Sequence, residues 1–518
     1  MTPSGAAAGA ARVAGRRGTL AAACLAVFVA QVANAMPVSL NGLFSQDLGA
    51  VGADLTWISA AFQVTVVVFE FTFGVLGDLF GRRRLVMVGS LVLALGAVVC
   101  ALAPNVETLW VGAAVNGLGA GAMYPGSLAL IAAISRTAED RARSIALWAG
   151  CLGAAAVVAP TFGGVFAKAG SWSTPFWVLA AVAVIAAVLT RVLSQESAAP
   201  EGRRLDVPGQ VTFAVGLLLV MFAAVQGSED GWGEWYVIGG FAVGALFLLA
   251  FLAVERRAAS PILDLSLFRD RAFAVVSLVS VIGMFAFLAA AFSTSIWIGA
   301  VQHQDPMKVA LAFLFLQGPA FFLVPVITRL LRVVSPVWLL SGGFALIGAG
   351  ALLCTRLDVA DRGMGAFVVP GLLIGLGFAI TVASFTEVSL NTVPPHLAGM
   401  ASATTNMLRD LGFALGPVIA GAVALSHAKD ELLAGLRPLA AQLPQDQAGP
   451  LLGLASEGGA LAANNVLEPG SPPQQLAFHA LGGGFHQAFA VAGVAALVAA
   501  VITVIGLAGV KREEEPAS

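Results

Sequence analysis

Residues 54–103 read DLTWISAAFQVTVVVFEFTFGVLGDLFGRRRLVMVGSLVLALGAVVCALA, two apolar runs at 54–77 and 85–103 hinged on a short basic loop. Each run has about the ~20 residues that a helix needs to cross ~30 Å of hydrocarbon. Lipid offers bare backbone no hydrogen-bond partner, so such runs are predicted to be helices packed into a bundle. The pattern repeats along the chain. Further runs at 19–43, 108–133, 144–167, 174–192, 207–226, 234–254, 272–297, 308–328, 336–354, 364–390, 397–425 and 484–509 bring the total to fourteen. Apolar residues make up 58% of the chain and charged residues 11%, about half the charged share of a soluble domain. The predicted fold class is an all-α integral membrane protein.

The charges are sorted by loop. Counting the amino terminus as cytoplasmic, the cytoplasmic segments hold 20 of the 27 Lys and Arg, and the outer segments hold 6: Lys168, Lys308, Arg356, Arg362, Lys429 and Arg437. That bias predicts a multi-pass protein of the cell membrane with both termini inside. The first run begins after Arg12, Arg16 and Arg17 but continues past Asn34 and Pro37, longer than a signal-peptide core, and is read as a span. Cys24, Cys100, Cys151 and Cys354 lie in or at the ends of spans with no metal-like or disulfide-like spacing. They read as packing residues. The segment RVLSQESAAPEGRRLD at 191–206 reads as a polar linker between halves. The outer segment 426–480 carries DELLAGLRPLAAQL, in which Leu432, Leu433, Leu436, Leu439 and Leu443 have helical spacing. It is either an interfacial helix on the membrane surface or a partly ordered spacer.

The most specific local signal is the loop Gly74-Val75-Leu76-Gly77-Asp78-Leu79-Phe80-Gly81-Arg82-Arg83-Arg84. Its glycines permit a sharp reversal and close helix approach. Its carboxylate and guanidiniums can lock one packing of the helices and release in another. The loop resembles the signature of the major facilitator superfamily through Gly74, Leu76, Asp78, Gly81, Arg82 and Arg83, with Leu79 where a basic residue is usual. Other segments resemble its fourteen-helix drug:proton antiporter branch (the EmrB/QacA type). These are Asn34-Ala35-Met36-Pro37, Trp57, Asn116-Gly117-Leu118-Gly119-Ala120, Ala159-Pro160-Thr161-Phe162-Gly163-Gly164, and the stretch from His396 to Gly412. The resemblance implies a major facilitator fold: two six-helix bundles plus two extra central helices, alternating access about a midplane site, and export through the antiporter motif at Pro160, Gly163 and Gly164. The expected division is a tail at 1–18, a bundle at 19–192, a linker at 193–206, the extra pair at 207–254, a second bundle at 255–509 and a tail at 510–518. Two positions depart from the branch. Phe28 stands where it carries an Asp, and Ala113 where it carries an Arg, so its usual proton-coupling groups are missing.

The remaining ionisable groups inside spans become the candidates, because charge in hydrocarbon is costly and is kept for function. Glu70 shares a helical face with Ser59, Gln63, Gly74 and Gly77 at 100° per residue. A carboxyl facing the bundle interior there can exchange a proton near neutral pH. Arg409 lies near mid-membrane on a face with Ser402, Thr405, Asn406, Gly412 and Gly416, and needs a partner. Asp410 is adjacent but points about 100° away, so it is not an automatic partner; Glu70 qualifies only if the two halves appose their helices. Glu387 reads as a snorkelling or gating residue. Gln31, Asn34, Gln63 and Asn116 either line a substrate cavity or bond a neighbouring helix.

No phosphate loop, H-E-x-x-H or G-x-S-x-G occurs, and no nucleotide fingerprint. An enzyme is therefore not expected, nor any cofactor, metal or nucleic-acid partner. The expectation is a monomeric secondary transporter in the lipid bilayer that exports hydrophobic or amphipathic small molecules, with protons as coupling ion. A transporter of lipids or envelope precursors, an uncoupled facilitator and a non-transporting sensor on the same fold stay open as alternatives.

Overall fold

The computed structural model describes residues 3–507 apart from 136, 199–204, 259–260, 262, 264, 392–397 and 443. The described chain is helical throughout, with α1 Pro3–Ala35, α2 Asn41–Asp47, α3 Ala53–Phe80, α4 Arg82–Ala101, α5 Val106–Ile134, α6 Ala138–Ala169 and α7 Thr174–Leu193 in its first part. There follow α8 Val207–Glu229, α9 Trp235–Glu255, α10 Arg271–Ile296, α11 Pro306–Phe322, α12 Val324–Val333, α13 Pro336–Cys354 and α14 Gly365–Asn391. The last four are α15 Ala398–Ala440, α16 Gln445–Glu457, α17 Gly459–Val466 and α18 Pro472–Leu507. Among the described residues, 13 stretches are long and apolar enough to cross a membrane. The tenth expected span differs. Helix α11 has only 17 residues and stops at Phe322, and after Leu323 the chain resumes as α12. Pro319 and Pro325 flank the break, and each removes a backbone donor.

Polar side chains start several helices. Asn105 accepts from the Thr108 amide at 3.1 Å to cap α5, Asp206 from Gly209 at 2.9 Å to cap α8, and Asp270 from Phe273 at 2.8 Å to cap α10. Each satisfies an amide that the helix itself leaves free.

Helix packing is two-fold repetitive. In the first half α4 packs on α5 and α7, α3 on α5, and α1 on α6 and α7. The same pattern recurs as α13 on α14 and α18, α11 on α14, and α10 on α15 and α18. The halves meet along two seams, α3 with α15 and α6 with α11. The α8–α9 pair sits against the first seam only. There Phe213, Leu217, Met221 and Phe251 join Val64, Val67, Val68, Met407 and Val418 in a hydrophobic cluster of their own.

The segment 426–480 is mostly helical and packs on the bundle. Leu432, Leu433, Leu436 and Leu439 continue α15 without a break, Leu432 and Leu436 are fully buried, and Leu443 lies outside the described residues. Helices α16 and α17 fold back on α15, and α17 also packs on α18. The leucine stripe found partners in protein rather than in lipid headgroups.

Candidate functional site

The end carrying the arginine-rich loop 78–84 is called here the basic end, and the opposite one the distal end. At the basic end, Gly81 joins α3 to α4 with φ 108°, a conformation open to glycine and strained for other residues. Arg82 donates from Nη2 and Nε to Asp78 Oδ1 at 2.8 and 3.1 Å, and from Nη1 to the Ala129 carbonyl of α5 at 3.3 Å. Arg83 engages a residue that sequence reading overlooked. Glu196, just past α7, accepts from the Arg83 amide at 3.0 Å, and its Oε2 lies 3.4 Å from Arg83 Nε. The Ser197 carbonyl accepts from the Arg82 amide at 2.9 Å. The start of the linker is thus clamped onto the loop. Glu196 and Arg83 are partly exposed, so Glu196→Ala is expected to lower stability by only about 0.5–1 kcal/mol. Thermal unfolding in detergent should show that loss shrinking as salt is raised.

Deeper in the membrane, the α3–α15 seam brings together groups 340 positions apart in sequence. The Glu70 carboxyl lies within hydrogen-bonding reach of Asp410, with the Arg409 charge beside it. Asp410 is 7% exposed, and Glu70 Oε2 is buried with no hydrogen-bond partner among the described residues. Arg409 Nε donates to Asp410 Oδ1 at 2.9 Å, and Nη1 donates to Asn406 Oδ1 at 3.1 Å. This corrects the expectation drawn from the helical wheel. The Cα directions do diverge by about 100°, but the long guanidinium arm curls back over that angle to its neighbour.

From the first half, Tyr124 of α5 donates its hydroxyl to Gln31 Oε1 at 3.1 Å and bonds Asn34, both on α1. Its hydroxyl senses the charges of Asp410, Glu70 and Arg409. Four helices therefore converge on one cluster. With both carboxyls ionised its net charge is −1; with one proton between them it is zero. Two carboxyls within hydrogen-bonding range have the geometry in which one O–H can donate to the other carboxylate. One turn beyond Asp410, Phe413 lies 6.5 Å from Phe287 of α10, which stacks on Phe378 of α14 at 3.8 Å. An aromatic wall next to a net negative cluster suits an organic cation.

The other candidates fall elsewhere. Gln63 is 7% exposed on the Glu70 face of α3. Asn116 turns away from the cluster and contacts α4, donating to Cys100 Sγ at 3.7 Å. Gly74 approaches Pro125 of α5. The side chain of Glu387 lies outside the described residues, as does His396. The phenylalanines carried no sequence signal, because the chain has 32 Phe spread through its spans, whereas Tyr124, one of two Tyr in the chain and the one inside the fourth expected span, was a signal that went unread.

At the distal end the halves are sealed. Pro160 lies inside α6, and a Cβ at Gly163 would come within 3.0 Å of Met36, at the turn that follows α1. One at Gly164 would come within 3.0 Å of Met307 Sδ at the start of α11. Helix α15 repeats the arrangement, with Pro417 followed by Gly421, where a Cβ would strike Thr56 at the start of α3. Gly42 of α2 meets the backbone of Gly299, which lies in a π-helical turn at Trp297–Val301. Beside it, Asn41 Nδ2 donates to Ser295 Oγ at 2.9 Å, and Ser295 donates to the Val38 carbonyl. Asn465 Nδ2 donates to Ser45 Oγ at 2.7 Å. Toward the basic end, by contrast, Leu147 of α6 and Val326 of α12 are about half exposed, and Gly150 has no neighbour within 4 Å of its Cβ position. Close contacts between the halves thus gather at the distal end.

The sequence matches the profile described as Major Facilitator Superfamily over residues 23–417. It is 29% identical over 376 residues to the multidrug resistance protein Stp of Mycobacterium tuberculosis, covering 72% of this chain and 70% of that protein. It is 27% identical to the tetracenomycin C resistance and export protein of Streptomyces glaucescens, over 93% of this chain and 90% of that one. It is 30% identical to the puromycin resistance protein pur8 of Streptomyces alboniger, over 78% and 80% of the two chains. Among solved structures, a bacterial homologue of the human lysosomal transporter Spinster, inward-facing and unoccupied, superposes with TM-score 0.67 at 12% identity, covering 97% of this chain and 99% of that one. That likeness concerns the fold.

Proposed function

The chain belongs to the Major Facilitator Superfamily, and from that premise we propose that it is a proton-coupled exporter of amphipathic, cationic small molecules, antibiotics among them. The named relatives support export of antibiotics and drugs. The sorting of Lys and Arg places the basic end and both termini in the cytoplasm. In this orientation the closed distal end faces outside and the basic end faces inside. The described conformation is then the one that loads substrate from the cytoplasm. The protein works as a monomer, since its cluster is completed within one chain.

The observation that carries the reading is the meeting of Glu70, Asp410 and Arg409 on the seam between halves. It supplies what Phe28 and Ala113 cannot. In the net −1 state the cluster and its aromatic wall hold a lipophilic cation. After the halves rock, an external proton returns the cluster to neutral and releases the cation outside. The proton then leaves to the cytoplasm when the inward-facing state returns. One proton exchanges for one monovalent cation in this scheme. Glu70 is the carrier, and Asp410 with Arg409 sets its surroundings. Asp78, Gly81, Arg82 and Arg83 govern the packing of the basic end, and Pro160, Gly163 and Gly164 the seal at the outer one.

The test is accumulation of lipophilic cationic dyes and antibiotics in an efflux-deficient bacterial host. The protein is expected to lower accumulation several-fold, and a protonophore to erase that difference. Equal accumulation with and without the protein, across cationic and neutral compounds, would overturn export. Export that survives the protonophore would overturn the coupling.

A further inference from the structure

We propose that His303 is a positioning residue of the transport cycle, a latch between the halves that external protons release. The inference rests on the alternating-access reading, and it does not depend on Glu70 as the carrier. His303 lies in the connection between the π-helical turn and α11. Among the described residues it is the one non-glycine with positive φ, 51°. Such a backbone persists where its surroundings hold it, and it gathers at functional places.

The ring spans the outer seam. Nδ1 lies 3.5 Å from the carboxamide of Gln46, on α2 of the first half. Nε2 lies 3.1 Å from Nδ2 of Asn464, on α17 of the outer cap. The orientation of Asn464 is fixed by two further bonds. Its Nδ2 donates to the Val301 carbonyl at 3.1 Å, and its Oδ1 accepts from Gln474 Nε2 at 2.8 Å. Its NH2 group therefore faces the ring. An amide N–H can bond Nε2 only while that nitrogen is bare, so the latch requires neutral imidazole with its proton on Nδ1. Gln46 Nε2 is the atom that lies 3.5 Å from Nδ1, so Gln46 accepts the Nδ1 proton once its amide is turned to present Oε1. Protonating Nε2 sets two donors head to head and breaks the contact with α17; that helix reaches across the seam through the 2.7 Å bond from Asn465 Nδ2 to Ser45 Oγ of α2, so losing its anchor at His303 loosens the bond between the halves.

The charged surroundings act in the same direction. Arg362, from the loop before α14, faces the ring, while α2 and α17 present the Gln46 and Asn464 amides to it. On the connection itself, Asp305 lies 3.9 Å from Lys168 of α6, and Lys308 donates to the Arg362 carbonyl at 3.2 Å. Asp47, next to Gln46, ends α2. Partial burial first, and Arg362 second, hold the latched His303 below its ordinary pKa of 6.5. Once the halves part, the solvated ring returns toward its ordinary value. The latched state thus keeps its full advantage above about pH 6.5 and loses it as pH falls through the lower, latched value. Within that window each pH unit moves the closed-to-open ratio by up to about tenfold. Acid outside opens the outer gate when protons for exchange are abundant there.

Spin labels at Asp47→Cys and Val466→Cys would read the outer gap by pulsed electron resonance in lipid nanodiscs. Both positions are exposed, and neither makes the latch. Cys24 and Cys151 would be replaced by alanine, and the buried Cys100 and Cys354 left in place. Between pH 8 and pH 5 the distance distribution is expected to shift to longer values. With His303→Gln, which accepts from Asn464 at either pH, the short distance should persist. With Asn464→Asp, whose carboxylate accepts from the protonated ring, the gap should also stay closed in acid. A distribution that does not change with pH would overturn the latch, as would opening of the His303→Gln variant to the same extent. No substrate is present in this measurement, so failure of the latch and failure of export are read separately.

Discussion

Replacing Glu70 by Gln is expected to abolish concentrative export, returning dye accumulation to the level of cells without the protein. The substitution keeps the shape of the side chain and removes its exchangeable proton. Its amide can donate to Asp410, which stays ionised against Arg409, so the cluster is fixed at zero charge. That is the proposed proton-loaded state, held permanently. Exchange of a cationic substrate down its own gradient in proteoliposomes should be lost as well, because the neutral cluster is the state that releases the cation, and the stimulation by an imposed pH gradient disappears with it. Asp410→Asn makes a useful companion. It neutralises the cluster from the other side and replaces the carboxylate that accepts from Arg409 at 2.9 Å by an uncharged amide oxygen. It should therefore lower thermal stability as well as coupling, since stripping one partner from a buried pair costs about 3–5 kcal/mol. Glu70→Gln proteoliposomes that pump as steeply with pH as the parent would remove Glu70 from the coupling scheme.

Replacing Gly42 by Val is expected to have the second-largest effect, at the opposite end. A Cβ on Gly42 would lie 2.7 Å from the Gly299 carbonyl carbon and 3.0 Å from its Cα. Backbone on both sides cannot yield as a flexible side chain can. The outer gate should be wedged open, and overpacking of about 1–3 kcal/mol would shift the inward-to-outward ratio by roughly 5- to 150-fold. The spin-label pair at Asp47 and Val466 should then show the long distance even at pH 8, and export should fall because the inward-facing state is rarely visited. A short distance unchanged from the parent would mean that the seal tolerates side chains here and is held mainly by the Asn41, Ser295 and Asn465 hydrogen bonds.

Much of the architecture was legible because the bilayer imposes a one-dimensional rule. A helix must be long and apolar enough to span, and thirteen of the fourteen expected runs satisfy that in the described structure. The run at 308–328 broke the rule where Pro319 and Pro325 fall six residues apart, and the chain used the break to end one helix and begin α12. The leucines of 432–439 were legible as a helix but not in their destination, since an apolar stripe does not say whether lipid or protein will cover it. The loop 78–84 was legible because its turn and its ion pair are local. Glu196 was not, because it arrives at that loop from the end of α7, 113 residues after the Arg83 it clamps.

The sequence by itself determined that this is a multi-spanning helical membrane protein, which end is basic, and which few ionisable residues lie at membrane depth. Transfer of charge and bare backbone into hydrocarbon is costly, so their positions leave a readable trace. Only the tertiary structure decided that Glu70 meets Asp410, that Arg409 turns back to its neighbour, that Tyr124 completes the cluster, and that Gly42 and Gly299 meet backbone to backbone at the distal end. Each of these depends on two halves folded separately and then apposed along α3 and α15 or at the distal seal. Helical periodicity fixes which residues share a face. It carries no information about which face of another helix, hundreds of residues away, will be set against it.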